Sequence, residues 1–595
     1  MFGYAGRILD VDLGSEKVKV HPLDGALAST FLGGRGAGIK LLYDNLKQGI
    51  NPLSSDNIII FMTGPLVGTI FPCANRLVVT TKSPLTGFYG MSLAGGALGP
   101  ELKYAGYDGL IVRGEAKQPA YIKIDDGKVE IEKADHLWGK TTSETKETIQ
   151  KDIGEEFKTI SIGPAGENLV KYAAIITSDR RAAGRCGVGT VMGSKKLKAI
   201  AIRGSGNVRV KDEKDFLELS SSLSIEINGS PALRSLKDYG TPSTINLVNT
   251  IGVFPTRNFQ TGVFEGAKLI DGDALKWHKA KDSACFACPL ACSKISYLAN
   301  PWRGWRTTEG PEYETLYSFG SNCGNSDLRS IIIADRLCDE LGLDSISTGC
   351  SIAFAMECFE RGLLSKDEVD GLELEFGNSA AIIELVEKIA NRQGFGDFLA
   401  EGVRRMSVAI GKGSEKFAMH VKGLELGGYD PRGLKGEGLS MATSERGGCH
   451  HAGGYIVLAE GHGQVDRFTT KGKGRLVRDI RTRTVLMDSA TLCTFVNRMM
   501  SLEVVSKALT YCTGMAFSVS SLEEIGRRII DAERIFNVRE GMRRADDALP
   551  PRLIEEPMPE GPSKGQAVEL DEMLDDFYEA CGWDKKLGAP ARQSI

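Results

Sequence analysis

The sequence predicts an α+β protein, with a β-rich N-terminal domain followed by two mainly helical domains. Three observations predict it. Short apolar or alternating runs recur up to about residue 210, helical spacing dominates beyond residue 215, and Gly, Pro and Asn punctuate both regions. The strand-like runs are 7–13, 58–62, 77–81, 121–124, 129–131 and 199–202, and the polar stretch 204–214 reads as a boundary. Beyond it, 328–341 and 347–360 keep helical spacing, and Ile382, Ile383, Leu385, Val386 and Ile389 fall on one helix face. A Gly-rich stretch at 423–454, a helical pattern at 522–544 and a Pro-rich exit at 549–562 complete the chain. The expected division is 1–210, 211–421 and 422–595.

At 595 residues the chain has room for about three or four domains and a large core. Hydrophobic residues make up 42% and charged residues 25%, an ordinary globular balance. A formal net charge of -4 is too near zero to call for a nucleic-acid or membrane partner. The opening Met1-Phe2-Gly3-Tyr4-Ala5-Gly6-Arg7 enters a strand pattern without the charged and apolar regions of a signal peptide. Apolar runs such as 58–62 and 331–334 are far too short to span a bilayer. The expectation is a soluble, cytoplasmic protein. Thirteen cysteines, an odd number in so long a chain, do not read as a disulfide scaffold; clustered ones read as metal ligands or reactive thiols.

One cysteine cluster stands out. Cys285-Phe286-Ala287-Cys288-Pro289-Leu290-Ala291-Cys292 has C-x2-C-x3-C spacing, which lets three soft thiolates converge on one iron centre. Zinc would use the same residue type, but no nearby histidine or second C-x2-C pair completes a zinc spacing. Unliganded core cysteines would not cluster so tightly. An iron–sulfur cubane needs a fourth thiolate from elsewhere, and Cys493, in Asp488-Ser489-Ala490-Thr491-Leu492-Cys493, is the choice. The other cysteines, Cys73 among them, read as packing residues, with Cys323 and Cys449 nearer the expected centre.

Together with that run, several segments resemble the aldehyde:ferredoxin oxidoreductase family of tungstopterin enzymes. They are Arg181-Ala182-Ala183-Gly184-Arg185, Gly310-Pro311-Glu312-Tyr313-Glu314 and Asp339-Glu340-Leu341-Gly342-Leu343-Asp344, then Tyr429-Asp430-Pro431-Arg432-Gly433, Ala442-Thr443-Ser444-Glu445-Arg446-Gly447 and the tail 549–565. They occur in family order over nearly the whole chain. The resemblance implies the family's fold and a tungsten held by two pterin dithiolenes. It places one pterin at Asp339, Gly342, Leu343 and Asp344, and the other at Asp488 and Leu492, where Thr491 replaces an expected glycine. A carboxylate suits pterin ring N–H donors, and glycine lets backbone come close; a helix end with a glycine cap is the alternative reading of each motif. The resemblance also places pterin phosphates and Mg2+ near Arg76, Gly95, Gly96, Arg181, Ala182 and Ala183, with Leu93 where the family often has asparagine.

By the same resemblance, Glu314 and His450 stand beside the metal, with Tyr313 and Tyr429 as further pocket residues. A buried carboxylate with a raised pKa can take a proton from water or a hydrate, and histidine can hydrogen-bond a substrate oxygen. The implied reaction oxidises an aldehyde to a carboxylic acid and passes electrons through the cluster to ferredoxin or another electron-transfer protein. No Glu-x-x-His occurs, so the mononuclear iron of some members is not expected; a homodimer or hetero-oligomer is compatible with the reading. Two alternatives stay open: the tungsten subunit of a benzoyl-CoA-reductase-like complex, which ligation of the metal by Cys323 or a CoA-sized cleft would favour, and a non-catalytic iron–sulfur subunit.

Overall fold

Alternating apolar residues in the first two hundred positions build a two-layer sandwich in the computed structural model, which describes residues 1–178, 180–497, 499–591 and 595. One six-stranded sheet runs in the order Lys17–Pro22, Arg7–Asp12, Gly109–Arg113, Ile59–Met62, Leu77–Lys82, Tyr89–Ala94. The other runs Ala182–Ala183, Ile175–Thr177, Lys158–Ser161, Leu197–Arg203, Ala120–Asp125, Lys128–Lys133. Both are mixed, with one parallel pair each, Arg7–Asp12 on Gly109–Arg113 and Leu197–Arg203 on Ala120–Asp125. The two-residue side-chain period explains the packing. Leu9, Val11, Ile59, Phe61, Leu110 and Val112 meet Ile122, Ile124, Ile160 and Ile200 between the sheets. Ile60, Met62, Val78 and Ile111 face the other way and join the main core of the molecule.

Beyond residue 210, helices dominate, among them Leu328–Leu341, Ser345–Glu360, Ser379–Asn391, Lys473–Ser489 and Val519–Arg539. Ile382, Leu385, Val386 and Ile389 are buried on one face of their helix, whereas Ile383 is only partly buried. One sheet interrupts this region. Strands Lys279–Ser283, Ser293–Trp302 and Trp305–Glu309 pair antiparallel, and the cysteine run forms the loop between the first two. Lys-Ala-Lys-Asp-Ser has no apolar alternation, so sequence reading assigned no strand there. Cross-strand hydrogen bonds and the 2.9 Å Lys294–Asp282 ion pair hold it instead. Among the described residues, no helix is long and apolar enough to cross a membrane.

Candidate active site and cysteine loop

Two helix ends of matching geometry seat the two D-x-x-x-L segments against the sandwich. Helix Leu328–Leu341 stops at Gly342 (φ 74°), and Leu343 N–H donates back to Cys338 O at 2.8 Å. Helix Lys473–Ser489 ends with Thr491 at φ 61°, and Leu492 N–H donates to Met487 O, also at 2.8 Å. Both are left-handed helix stops that satisfy orphan carbonyls. Each leucine then makes an isolated antiparallel bridge to the N-terminal region, Leu343 with Ala173 and Leu492 with Ala74.

Gly342 has no alternative, because a Cβ there would lie 2.6 Å from Gly163 N. At the second stop a β-branched residue adopts the same disfavoured region. The close approach is kept by glycines on the facing segment: a Cβ on Gly34 would meet Thr491 Cγ2 at 2.8 Å, and one on Gly64 would meet Thr491 Oγ1 at 2.6 Å. The cap reading and the cavity-lining reading therefore hold together at both motifs.

Between these ends lies a cavity of about 390 Å³. Two of the motif carboxylates that face it are shifted in opposite directions. Asp339 is buried beside Asp335 and Glu309, and burial, then repulsion from Glu309, push its carboxyl well above the usual range. At Asp488 burial also opposes charge, but His451 (3.3 Å) and Arg35 (3.1 Å) win and hold the carboxyl below the usual range. Arg35 also grips Glu533 through two bonds of 2.6 and 2.8 Å. Asp344 caps the next helix by accepting from Ile346 N–H, and also accepts from Arg185 at 3.2 Å.

The cysteine loop closes on the same space. Cys285, Cys288, Cys292 and Cys493 all line the cavity, and Arg76 donates to Cys493 Sγ at 3.1 Å. The loop is tied to the sandwich by Phe286 N–H to Gly96 O (3.1 Å), Asn75 Nδ2 to Phe286 O (3.0 Å) and Cys73 N–H to Ala287 O (2.9 Å). Among the described residues, no three His, Cys, Asp or Glu side chains close tightly enough to hold a single metal ion.

Glu314 sits in the first turn of helix Tyr313–Phe319, with its Oε2 accepting Gly428 N–H at 3.0 Å. His450 Nδ1 is 3.4 Å from Glu314 Oε1, and the two side chains are 17% and 16% exposed. Burial raises the Glu314 pKa to about 8, against the opposing Gly428 N–H and Arg185. Burial, with His451 and Arg185, pushes His450 well below the ordinary range. At neutral pH the proton of this pair therefore resides on the carboxyl, and the imidazole is neutral. Tyr313 donates to Gly428 O, and Tyr429 and Tyr455 hydroxyls pair at 2.9 Å, so tyrosine rings wall the pocket around His450.

Of the residues singled out from sequence, Arg76, Gly95, Arg181, Ala182, Tyr313, Glu314, Asp339, Leu343, Asp344, Tyr429, His450, Asp488, Leu492 and the four cysteines line the cavity. Gly96 and Gly342 act from behind as backbone acceptor and helix stop, and Ala183 is buried inside the sandwich. Arg181 is committed to Glu309 at 2.7 Å. Sequence reasoning missed Arg185, Tyr455 and His451 as cavity residues, and Cys73, which lies 3.6 Å from Cys288. The adjacency of His451 to His450 was the one local signal for it. Cys323 is fully buried, donating to Ser318 O at 3.2 Å, and is not one of the cavity-lining residues.

The family described as "Aldehyde ferredoxin oxidoreductase, N-terminal domain" matches residues 8–204, and "domains 2 & 3" of the same family match 218–595. A tungsten-containing aldehyde ferredoxin oxidoreductase of Pyrococcus furiosus is 44% identical over 98% of this chain and 97% of its own. Its Thermococcus kodakarensis counterpart is also 44% identical, over 100% and 98%. A P. furiosus protein named "Aliphatic sulfonate oxidoreductase, WOR-like subunit" is 34% identical over 100% and 97%. Among solved structures, the BamBC active-site complex of benzoyl coenzyme A reductase superimposes with a TM-score of 0.83 at 25% identity, covering 99% of this chain and 96% of that one. With both family descriptions matched along nearly its whole length, the chain belongs to the aldehyde ferredoxin oxidoreductase family.

Proposed function

We propose that the chain oxidises an aldehyde to the carboxylic acid and passes the electrons through an iron–sulfur cluster to ferredoxin or a similar carrier. The observation carrying this reading is a single cavity faced by both the Glu314–His450 pair and the thiols of Cys285, Cys288, Cys292 and Cys493. The donor set fits the groups implied. Four thiols, the soft ligands iron takes, face one cavity, and a Cβ on Gly95 would lie 2.9 Å from Cys285 Sγ, so only glycine leaves that wall open. In this reading the four cysteines hold a [4Fe–4S] cluster. Asp339, Gly342, Leu343 and Asp344 seat one pterin, and Asp488 and Leu492 the other. Arg76, Gly95, Gly96, Arg181, Ala182 and Ala183 belong to the phosphate and Mg2+ region.

When bound, the pterin-held tungsten supplies two-electron oxidation and oxygen transfer, and the cluster supplies one-electron release. The chain's own residues do the rest. Ionised Glu314 takes a proton from water or an aldehyde hydrate. Neutral His450 hydrogen-bonds the substrate oxygen as charge develops there. The Tyr313, Tyr429 and Tyr455 rings exclude water around both. Burial favours the protonated form of Asp339, which is the form able to donate to a pterin ring acceptor, whereas His451 and Arg35 favour the accepting carboxylate form of Asp488.

Anaerobic purification from tungsten-supplied cells, metal and pterin analysis, and an aldehyde panel with viologen as acceptor test the proposal. Tungsten, about four irons per chain and aldehyde-dependent viologen reduction are expected. Iron without tungsten, or tungsten-replete protein that oxidises no aldehyde, refutes it.

A further inference from the structure

Five thiols, rather than four, gather where the cysteine loop meets the sandwich. The fifth, Cys73, belongs to the segment that also carries Asn75 and Arg76, and is buried with 0% exposure. Its N–H donates to Ala287 O in the C-x2-C-x3-C loop at 2.9 Å, and its carbonyl accepts from Cys493 N–H at 3.1 Å. It is thus pinned between both segments that carry the proposed ligands. Its φ of 63° lies in the left-handed region, which a non-glycine residue keeps only when its surroundings hold it there. In that position Cys73 Sγ is 3.6 Å from Cys288 Sγ, with the Cys73 thiol as donor.

We infer that Cys73 is a positioning residue that donates its S–H to the Cys288 sulfur and so raises the reduction potential of the cluster held by Cys285, Cys288, Cys292 and Cys493. The inference rests on the cluster assigned under the proposed function. Reduction adds negative charge that is shared by the iron atoms and their thiolate ligands. A donor aimed at a ligand sulfur stabilises the reduced state more than the oxidised one. Arg76 aims a donor at the Cys493 sulfur in the same way, at 3.1 Å. A four-iron cubane is satisfied by four thiolates, which leaves Cys73 protonated in its buried setting and free to act as donor. Mere packing would be served equally by an apolar side chain of similar size.

The test is an EPR-monitored redox titration of anaerobically purified holoenzyme, wild type, Cys73→Ala and Cys73→Ser, after iron per chain has been measured. In Cys73→Ala the ratio of reduced to oxidised cluster at a fixed potential should fall about fivefold, the effect of losing one ordinary hydrogen bond. Cys73→Ser keeps a donor and should recover most of that loss. Wild-type protein without the iron or EPR signal of a cluster would sink the cluster assignment itself, and this inference with it. Full iron with an unmoved potential in Cys73→Ala would overturn only the role of Cys73. Iron loss in Cys73→Ala, or a serine variant shifted as far as the alanine variant, would also overturn it.

Discussion

Raising the Glu314 carboxyl from 4.5 to about 8 sets aside on the order of 5 kcal/mol against its ionisation. The cause is burial, and the partner that might have offset it, His450, is held neutral by the same burial. If the ionised carboxylate is the proton acceptor, only about one molecule in ten is competent at pH 7, and about one in a hundred at pH 6. kcat/KM should therefore rise about tenfold per pH unit up to about 8 and level off above it. Glu314→Gln should lower kcat/KM by roughly a hundredfold or more and remove that rise, while tungsten, pterin and iron contents stay at wild-type levels. Anaerobic viologen-coupled kinetics across pH 6–9, with metal analysis at each step, measure both. A flat wild-type profile over this range, or a glutamine variant with undiminished turnover, would refute the assignment of Glu314 as base.

Other positions carry equally specific expectations. A Cβ on Gly427 would lie 2.6 Å from His450 Nδ1 and 3.4 Å from Glu314 Oε2, so Gly427→Ala should displace the imidazole. It should cost about a hundredfold in kcat/KM, with cofactor content intact. Gly342→Ala combines φ 74° with a 2.6 Å approach to Gly163 N. It should destabilise the protein by about 1–3 kcal/mol, read as a lowered unfolding midpoint. Arg35→Met would leave Asp488 and Glu533, 1% and 0% exposed, without their shared cation. The expected loss is about 3–5 kcal/mol of stability, with reduced pterin content; a melting curve like that of the wild type would contradict the buried network.

Much of the architecture was legible from short-range patterns. Short apolar runs marked strands such as Ile59–Met62 and Leu77–Lys82, which are buried throughout, and helical spacing marked Leu328–Leu341 because side-chain direction repeats with the local backbone. Lys279–Ser283 escaped notice because its residues carry no apolar alternation. The cysteine run was visible because its three thiolates lie within eight residues, whereas the Glu314 segment and both D-x-x-x-L segments were singled out by resemblance to the family.

What the sequence alone determined was therefore which chemical groups the chain possesses and the secondary structure that carries them. The tertiary structure decided their states and partners. It pushed the Asp339 carboxyl above the usual range and held Asp488 below it in nearly identical local motifs, because one was buried among carboxyls and the other beside Arg35 and His451. It allowed a left-handed Thr491 by supplying Gly34 and Gly64 from remote segments. It turned Cys73 from an ordinary core cysteine into a neighbour of Cys288. Burial, charge and close approach are sums over residues far apart along the chain, and local spacing holds no record of them.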